Sequence, residues 1–234
     1  MSNNLSIYVP HISKTNFNAE ASAILRETFP DALVKPMAVP IEKIATEKLG
    51  LKILEVRLTE DLSILGQMCF TRGRVEIYDK KEDEYREIIV DAGTMIIDPD
   101  VIAQRGIGAK RNTIAHECVH WKKHRLYHLR AAQEGLNGVA HRCPSVPKSE
   151  LFQAEWNDED WMEWQANGIA PRILMPIETV PSVYEMMRKK SLQNPFVAKG
   201  LRPQSEWIIE QFAGFYRVSR ESATIRLQEL GYLS

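Results

Sequence analysis

Residues 110–132, KRNTIAHECVHWKKHRLYHLRAA, contain neither Gly nor Pro and form the longest helix candidate of the chain, about six turns. Asn112 or Thr113 is placed to cap its start. His116 and His120 stand four residues apart, with Glu117 directly after the first: an HExxH pattern. Positions i and i+4 share one helix face, ~5–6 Å apart at Cβ. Both imidazoles can therefore reach one metal at ~2.0–2.1 Å, the usual zinc–nitrogen distance. Zinc lowers the pKa of a ligated water to about 7, and Glu117 is placed to take that water's proton as a general base. With so few histidines, chance gives an HExxH in about 1% of such chains, and the mid-helix position is the one this chemistry needs.

A catalytic zinc takes three protein ligands and keeps one position open. The metzincin pattern would need Gly and His three and six residues after the second ligand; Lys123 and Leu126 stand there, which excludes it. The acidic candidates that follow are Glu155, Asp158, Glu159, Asp160 and Glu163. Asp158–Asp160 suit a helix N-terminus. Glu163 alone has an Asn at i+4, Asn167, which could orient a ligand from behind.

The rest of the chain fixes the context. Its 234 residues carry 30 Lys+Arg against 31 Asp+Glu, a net charge of −1, which excludes nucleic-acid binding by bulk positive charge. The length fits one large domain or one and a half. Three cysteines, without a CxxC, point to a reducing compartment rather than a disulfide framework. The first 20 residues lack a basic start and an apolar segment, so no signal peptide is expected. No window approaches the ~18 continuous apolar residues of a membrane span. The expectation is a cytoplasmic protein with no membrane partner.

Residues 1–18 read as a loose polar arm. A helical pattern covers Ala19 to Phe29, and another follows Pro40 to a stop at Gly50. Residues 51–58, 64–70, 74–79 and 86–98 are rich in β-branched residues and read as one small twisted sheet. Residues 135–148, with two Gly and two Pro, read as a loop. A second helix begins near Asp158–Asp160; Pro171 predicts a kink after Asn167, and Pro176 an end. The fold class is α+β with a helical C-terminal part. The expected organisation is an arm over 1–18, a domain over 19–176 and a helical region over 177–234.

Residues 203–230 read as helix, turn, helix, with Ser219 as cap. Residues 201–234 hold four Arg against four Glu, so packing or partner docking is expected there rather than DNA contact. His124 and His128 extend the i, i+4 series but cannot share a metal with His116, since four residues rise ~6 Å; they read as solvated or substrate-contacting. Cys118 reads as a small buried apolar residue. His141 and Cys143 lack the paired spacing of another metal site. Trp121, Trp161 and Trp164 read as packing between the two helices. His141, Tyr127 and Tyr216 are candidate oxyanion donors.

TIAHECVHW, then ExxAN starting 42 residues after Trp121, then RILMP at 172–176, resembles the ImmA/IrrE family of metallopeptidases. IEKIATEKLG, a strand containing Gly66, and GTMIID ahead of the long helix are similar to it too, as is the tail VSRESATIRLQELGYL. The resemblance covers about residues 40–176 and the tail. It implies a zincin-like core with a helix-turn-helix-like C-terminal part. It implies Zn2+ held by His116, His120 and Glu163, with Glu117 as base. It also implies a regulatory role: site-limited cleavage of a repressor, often of helix-turn-helix type and encoded nearby. A DNA-associated transcriptional regulator with a vestigial peptidase site is the alternative, and a peptide-binding module with structural zinc a third. The strand Thr94–Asp98, just ahead of the long helix, is expected to be the sheet edge that templates substrate. Loop 135–157 and the C-terminal helices are expected to supply selectivity.

Overall fold

The computed structural model describes residues 5–135, 140–144 and 156–233. The protein is α+β. In chain order come α1 (Phe17–Thr28), α2 (Asp31–Val34), α3 (Ile41–Lys43, continued by a wide turn over Ile44–Lys48) and β1 (Lys52–Glu55). Then follow β2 (Ile64–Cys69), β3 (Gly73–Asp79), β4 (Glu84–Val90), β5 (Thr94–Ile97), α4 (Asp100–Val119) and α5 (Arg125–Gln133). The chain continues with β6 (Ala140–Pro144), α6 (Asp158–Leu174), α7 (Val180–Leu192), α8 (Pro195–Ala198), α9 (Gln204–Tyr216) and α10 (Arg220–Glu229).

The expected single sheet is two. The first has the order β1-β5-β2-β6, with β1 and β5 parallel and the other pairs antiparallel. The second is the hairpin β3-β4. Alternation along the strands sorts side chains to two faces. Met68, Met95 and Ile97 join the main core with the helices, while Cys69 and Ile96 join a smaller cluster with Val75 and Val90 of the hairpin. The first sheet is thus covered by helices on one face and by the hairpin on the other.

Two strand expectations are corrected. β5 lies between β1 and β2 and is no edge. Residues 140–144, read as loop, form the edge strand β6. Local pattern does not reveal strand order, which is decided by pairing between distant segments.

The main core runs from Ile12 to Leu227, so the C-terminal helices share it with the sheet. The expected loose arm is packed: Val9 and Ile12 are buried, and the Pro10 carbonyl accepts from Gln165 Nε2 at 2.7 Å. These contacts outweigh the arm's polar composition.

α4 starts earlier than expected. The Asp98 carboxylate accepts the Asp100 amide at 2.9 Å, and the helix breaks once at Gly106 (φ 81°). Neither Asn112 nor Thr113 caps it; the Thr113 hydroxyl donates to the Ala109 carbonyl inside the helix. From Thr113 to Val119 every residue is buried, so this helix runs through the core instead of along its surface. Arg111 fixes its rotation by donating to the carbonyls of Val39 and Arg217. Gly108 lets the turn before α10 close onto α4, where a Cβ would collide with the Val218 and Ser219 backbone.

α6 begins with a capping box: Asn157 accepts the Asp160 amide at 2.9 Å and Asp160 accepts the Asn157 amide at 3.1 Å. The helix continues through Pro171 to Leu174, and the Met175 amide still reaches the Pro171 carbonyl. Proline removes one bond, but Ala166, Ile169, Ala170, Ile173 and Leu174 bury the flanks of the helix on both sides of it.

Candidate metal centre

α4 carries His116 and Glu117 into the core. The chain then widens into a π-type turn over His120–His124 before α5. Such turns recur at functional sites because they rotate side chains out of the regular helical register. α6 crosses α4 and brings Glu163 to the two histidines. His116 Nε2 and His120 Nε2 are 2.9 Å apart, and Glu163 Oε1 lies 3.3 Å from the first and 3.0 Å from the second. His116 and His120 are 1% and 0% exposed, and the Glu163 side chain 15%. The three expected ligands thus form one buried cluster that could hold a metal ion.

Their protonation is set from behind. The Pro10 carbonyl can only accept, so it orients Gln165 with its amide nitrogen outward and its oxygen towards His124 Nε2, 3.0 Å away. His124 Nε2 then holds the proton, and His124 Nδ1 accepts from His120 Nδ1 at 2.9 Å. This leaves the lone pair of His120 on Nε2, facing Glu163 Oε1 at 3.0 Å. A proton on His116 Nε2, or a cation in its place, is what holds two such acceptors together, so the donor set fits a cation. Burial lowers the His116 pKa, but its contacts with Cys143 and Glu163 raise it by more, and on balance it stands well above the usual imidazole value. Gln165→Leu is expected to weaken metal binding about 10–100-fold, read by competition with a chromophoric chelator. Unchanged affinity would mean that Gln165 does not hold this relay.

Glu117 points beneath β2. It is fully buried and neither carboxylate oxygen has a hydrogen bond. Burial pushes its pKa up to about 8, with His116 opposing and Glu163 adding to the rise. Its space comes from Gly66: a Cβ there would sit 2.6 Å from Thr113 Cγ2 and 2.9 Å from Glu117 Oε1.

Asn167 lines the same cavity one turn beyond Glu163; among the described residues its side chain makes no hydrogen bond to Glu163. The supporting carboxamide is Gln165, which acts through His124. His124 and His128 are buried, not solvated as expected. His128 stacks on Phe70, with ring centroids 4.1 Å apart. Cys118 is buried in the core, as read. Trp161 and Trp164 pack on each other and on Trp156, but Trp121 lies against Phe70 of the sheet side instead of α6. Tyr216 sits in the C-terminal core, 3.2 Å from the Thr179 hydroxyl and pushed up to about 12 by burial, far from any oxyanion role. Tyr127 does not line the cavity. Glu155, the side chain of His141, and residues 136–139 and 145–155 of the proposed selectivity loop lie outside the described residues.

Cys143, set aside in the sequence for want of a paired spacing, lies beside this cluster. Its sulfur lies within 4.8 Å of a His116 ring nitrogen and a Glu117 oxygen. Only pairing with β2 brings it there, and its local sequence, HRCPSVP, carries no strand signal.

A cavity of about 980 Å³ opens onto this cluster, lined by Glu163, Asn167 and Cys143 on one side and by Ser219, Ser222 and Ile225 on the other. α9 and α10 are joined by a short turn, with an αL residue at Arg217 and Ser219 accepting the Ser222 amide at 3.0 Å. α10 is a wall of this cavity. No helix among the described residues is long and apolar enough to cross a membrane. No family model matches the chain, and no curated protein or solved structure does either.

Proposed function

We propose that the protein is a zinc-dependent endopeptidase with a zincin-like core, acting on a cytoplasmic helix-turn-helix repressor or a similar protein partner. The observation that carries this reading is the pairing of His116, His120 and Glu163 at 2.9–3.3 Å with a buried, unbonded Glu117 carboxylate beside them. A purely structural metal needs no such carboxylate, and leaving one buried without partners costs stability. His116, His120 and Glu163 are the residues that would hold zinc. When bound, zinc supplies Lewis-acid polarisation of a carbonyl and water activation near neutral pH.

The chain's own residues do the rest. The relay Pro10–Gln165–His124 fixes the His120 tautomer. Glu117 takes the proton of the attacking water and passes it to the leaving amine nitrogen. The buried walls around Glu117 exclude bulk water, and the cavity of about 980 Å³ opens onto the ligand cluster. The ligand set and base are those implied by the resemblance to ImmA/IrrE metallopeptidases, and the wall formed by α10 suits selection among protein partners.

Cleavage of a candidate repressor at one or two sites is expected to stop on chelation and return on adding zinc, while casein is cut poorly. Cleavage that survives complete chelation would contradict the metal-dependent reading. Rapid digestion of casein would leave a general peptidase instead of a regulatory one. DNA binding is expected to be weak and strongly salt-dependent.

A further inference from the structure

Strand β6 comes from outside the segment, residues 52–97, that supplies the other strands of its sheet. It pairs antiparallel with β2 from Ile64↔Pro144 to Cys69↔Ala140, with a register shift between Ile64 and Gly66. β2 packs on α4. Without β6, β2 would be the open edge beside the metal cluster, and an open edge is where an extended peptide adds by main-chain pairing. β6 fills that place from within the chain.

The register puts Cys143 opposite Gly66, the residue whose missing side chain makes room for Glu117. The Cys143 sulfur reaches within 4.8 Å of Glu117 and of His116, the one ligand that this group shares with the His116–His120–Glu163 cluster. The thiol is free, 5% exposed, and lines the cavity. The thiol donates to the Pro144 carbonyl at 3.9 Å, and the Glu117 carboxylate that shares this space is fully buried without a hydrogen bond. Thiolate sulfur is a preferred zinc donor, and a fourth protein donor closes a site that catalysis needs open.

We propose that β6 is an internal inhibitor: it occupies the peptide's place along β2 and supplies the Cys143 sulfur as a fourth donor to the metal held by His116, His120 and Glu163. This rests on the zinc-peptidase reading above. Ligation releases the thiol proton to solvent and changes no oxidation state. A partner that strips β6 from β2 opens the pairing edge and the metal together, so proteolysis is confined to proteins able to do so.

The test loads the full chain with Co2+ in place of zinc. The wild type is expected to show a sulfur-to-cobalt charge-transfer band that Cys143→Ser and Cys143→Ala lack while keeping stoichiometric cobalt. Metal is expected to protect Cys143 from alkylation by a maleimide, a comparison within the wild type that needs no variant; Cys69 and Cys118 are 0% exposed and serve as controls. Cys143→Ala is expected to cleave a peptide substrate about tenfold faster or more, because the closed population no longer limits it. Cobalt bound without the sulfur band, together with alkylation of Cys143 indifferent to metal, would overturn the inhibitor and leave the zinc-peptidase reading standing. Failure to bind metal at all would overturn both.

Discussion

Replacing Glu117 by Gln is expected to lower peptide hydrolysis about 10²–10⁴-fold while the metal stays bound. Glutamine keeps the size of the side chain and cannot accept the proton. The same change is expected to stabilise the metal-free protein. In the fold the Glu117 pKa rises from 4.5 to about 8 because burial disfavours the charge. Between those values the native state binds more protons than the unfolded state, so stability falls as pH rises. The Gln variant escapes that loss, and its advantage in Tm should grow from about pH 5 to about pH 8 and then level off. The gain is about 1–2 kcal/mol, since the buried amide itself lacks partners. An active Gln variant would remove Glu117 from the chemistry. A thermal advantage independent of pH would mean that the carboxylate is not buried as described.

Gly66→Ala is expected to cost about 100-fold in kcat/KM with little loss of metal. The added Cβ would press on Thr113 Cγ2 and Glu117 Oε1. Both belong to the buried stretch of α4, which has no room to retreat. Displacing a catalytic group by about 1 Å is enough for such a loss. His116 is next to Glu117 in sequence, but its Nε2 faces Glu163 and not Gly66, and His120 keeps its relay through His124 to Gln165. Unimpaired hydrolysis in this variant would show that β2 does not position the base.

Much of the site was legible in the sequence because it rests on helix geometry. The four-residue spacing of His116 and His120 places both on one face whatever surrounds them, and the structure finds their Nε2 atoms 2.9 Å apart. Helix spacing does not single out Glu163 among the acidic residues that follow; the Asn at i+4 and the resemblance carried by ExxAN do. What was not legible depends on pairing or packing between distant segments. Cys143 reaches the site through strand β6, drawn from a segment whose Gly and Pro content reads as loop. β5 is central because β2 returns to pair with it, and nothing in TMII announces which edges are taken. His124 was read as solvated because a regular helix would carry it away from the cluster. The π-type turn and the carboxamide of Gln165 hold it inside, and Gln165 is itself set by the carbonyl of Pro10 in an arm that looked loose.

The central claim is that His116, His120 and Glu163 hold one metal for Glu117 to work beside. Zinc per chain, measured by elemental analysis after dialysis against trace zinc, tests it most directly. The account predicts one zinc in the wild type and in Glu117→Gln, and none in His116→Ala or His120→Ala. It also predicts weakened or absent zinc in Glu163→Ala. A wild type that takes up no zinc, or a His116→Ala variant that retains a full equivalent, would contradict it.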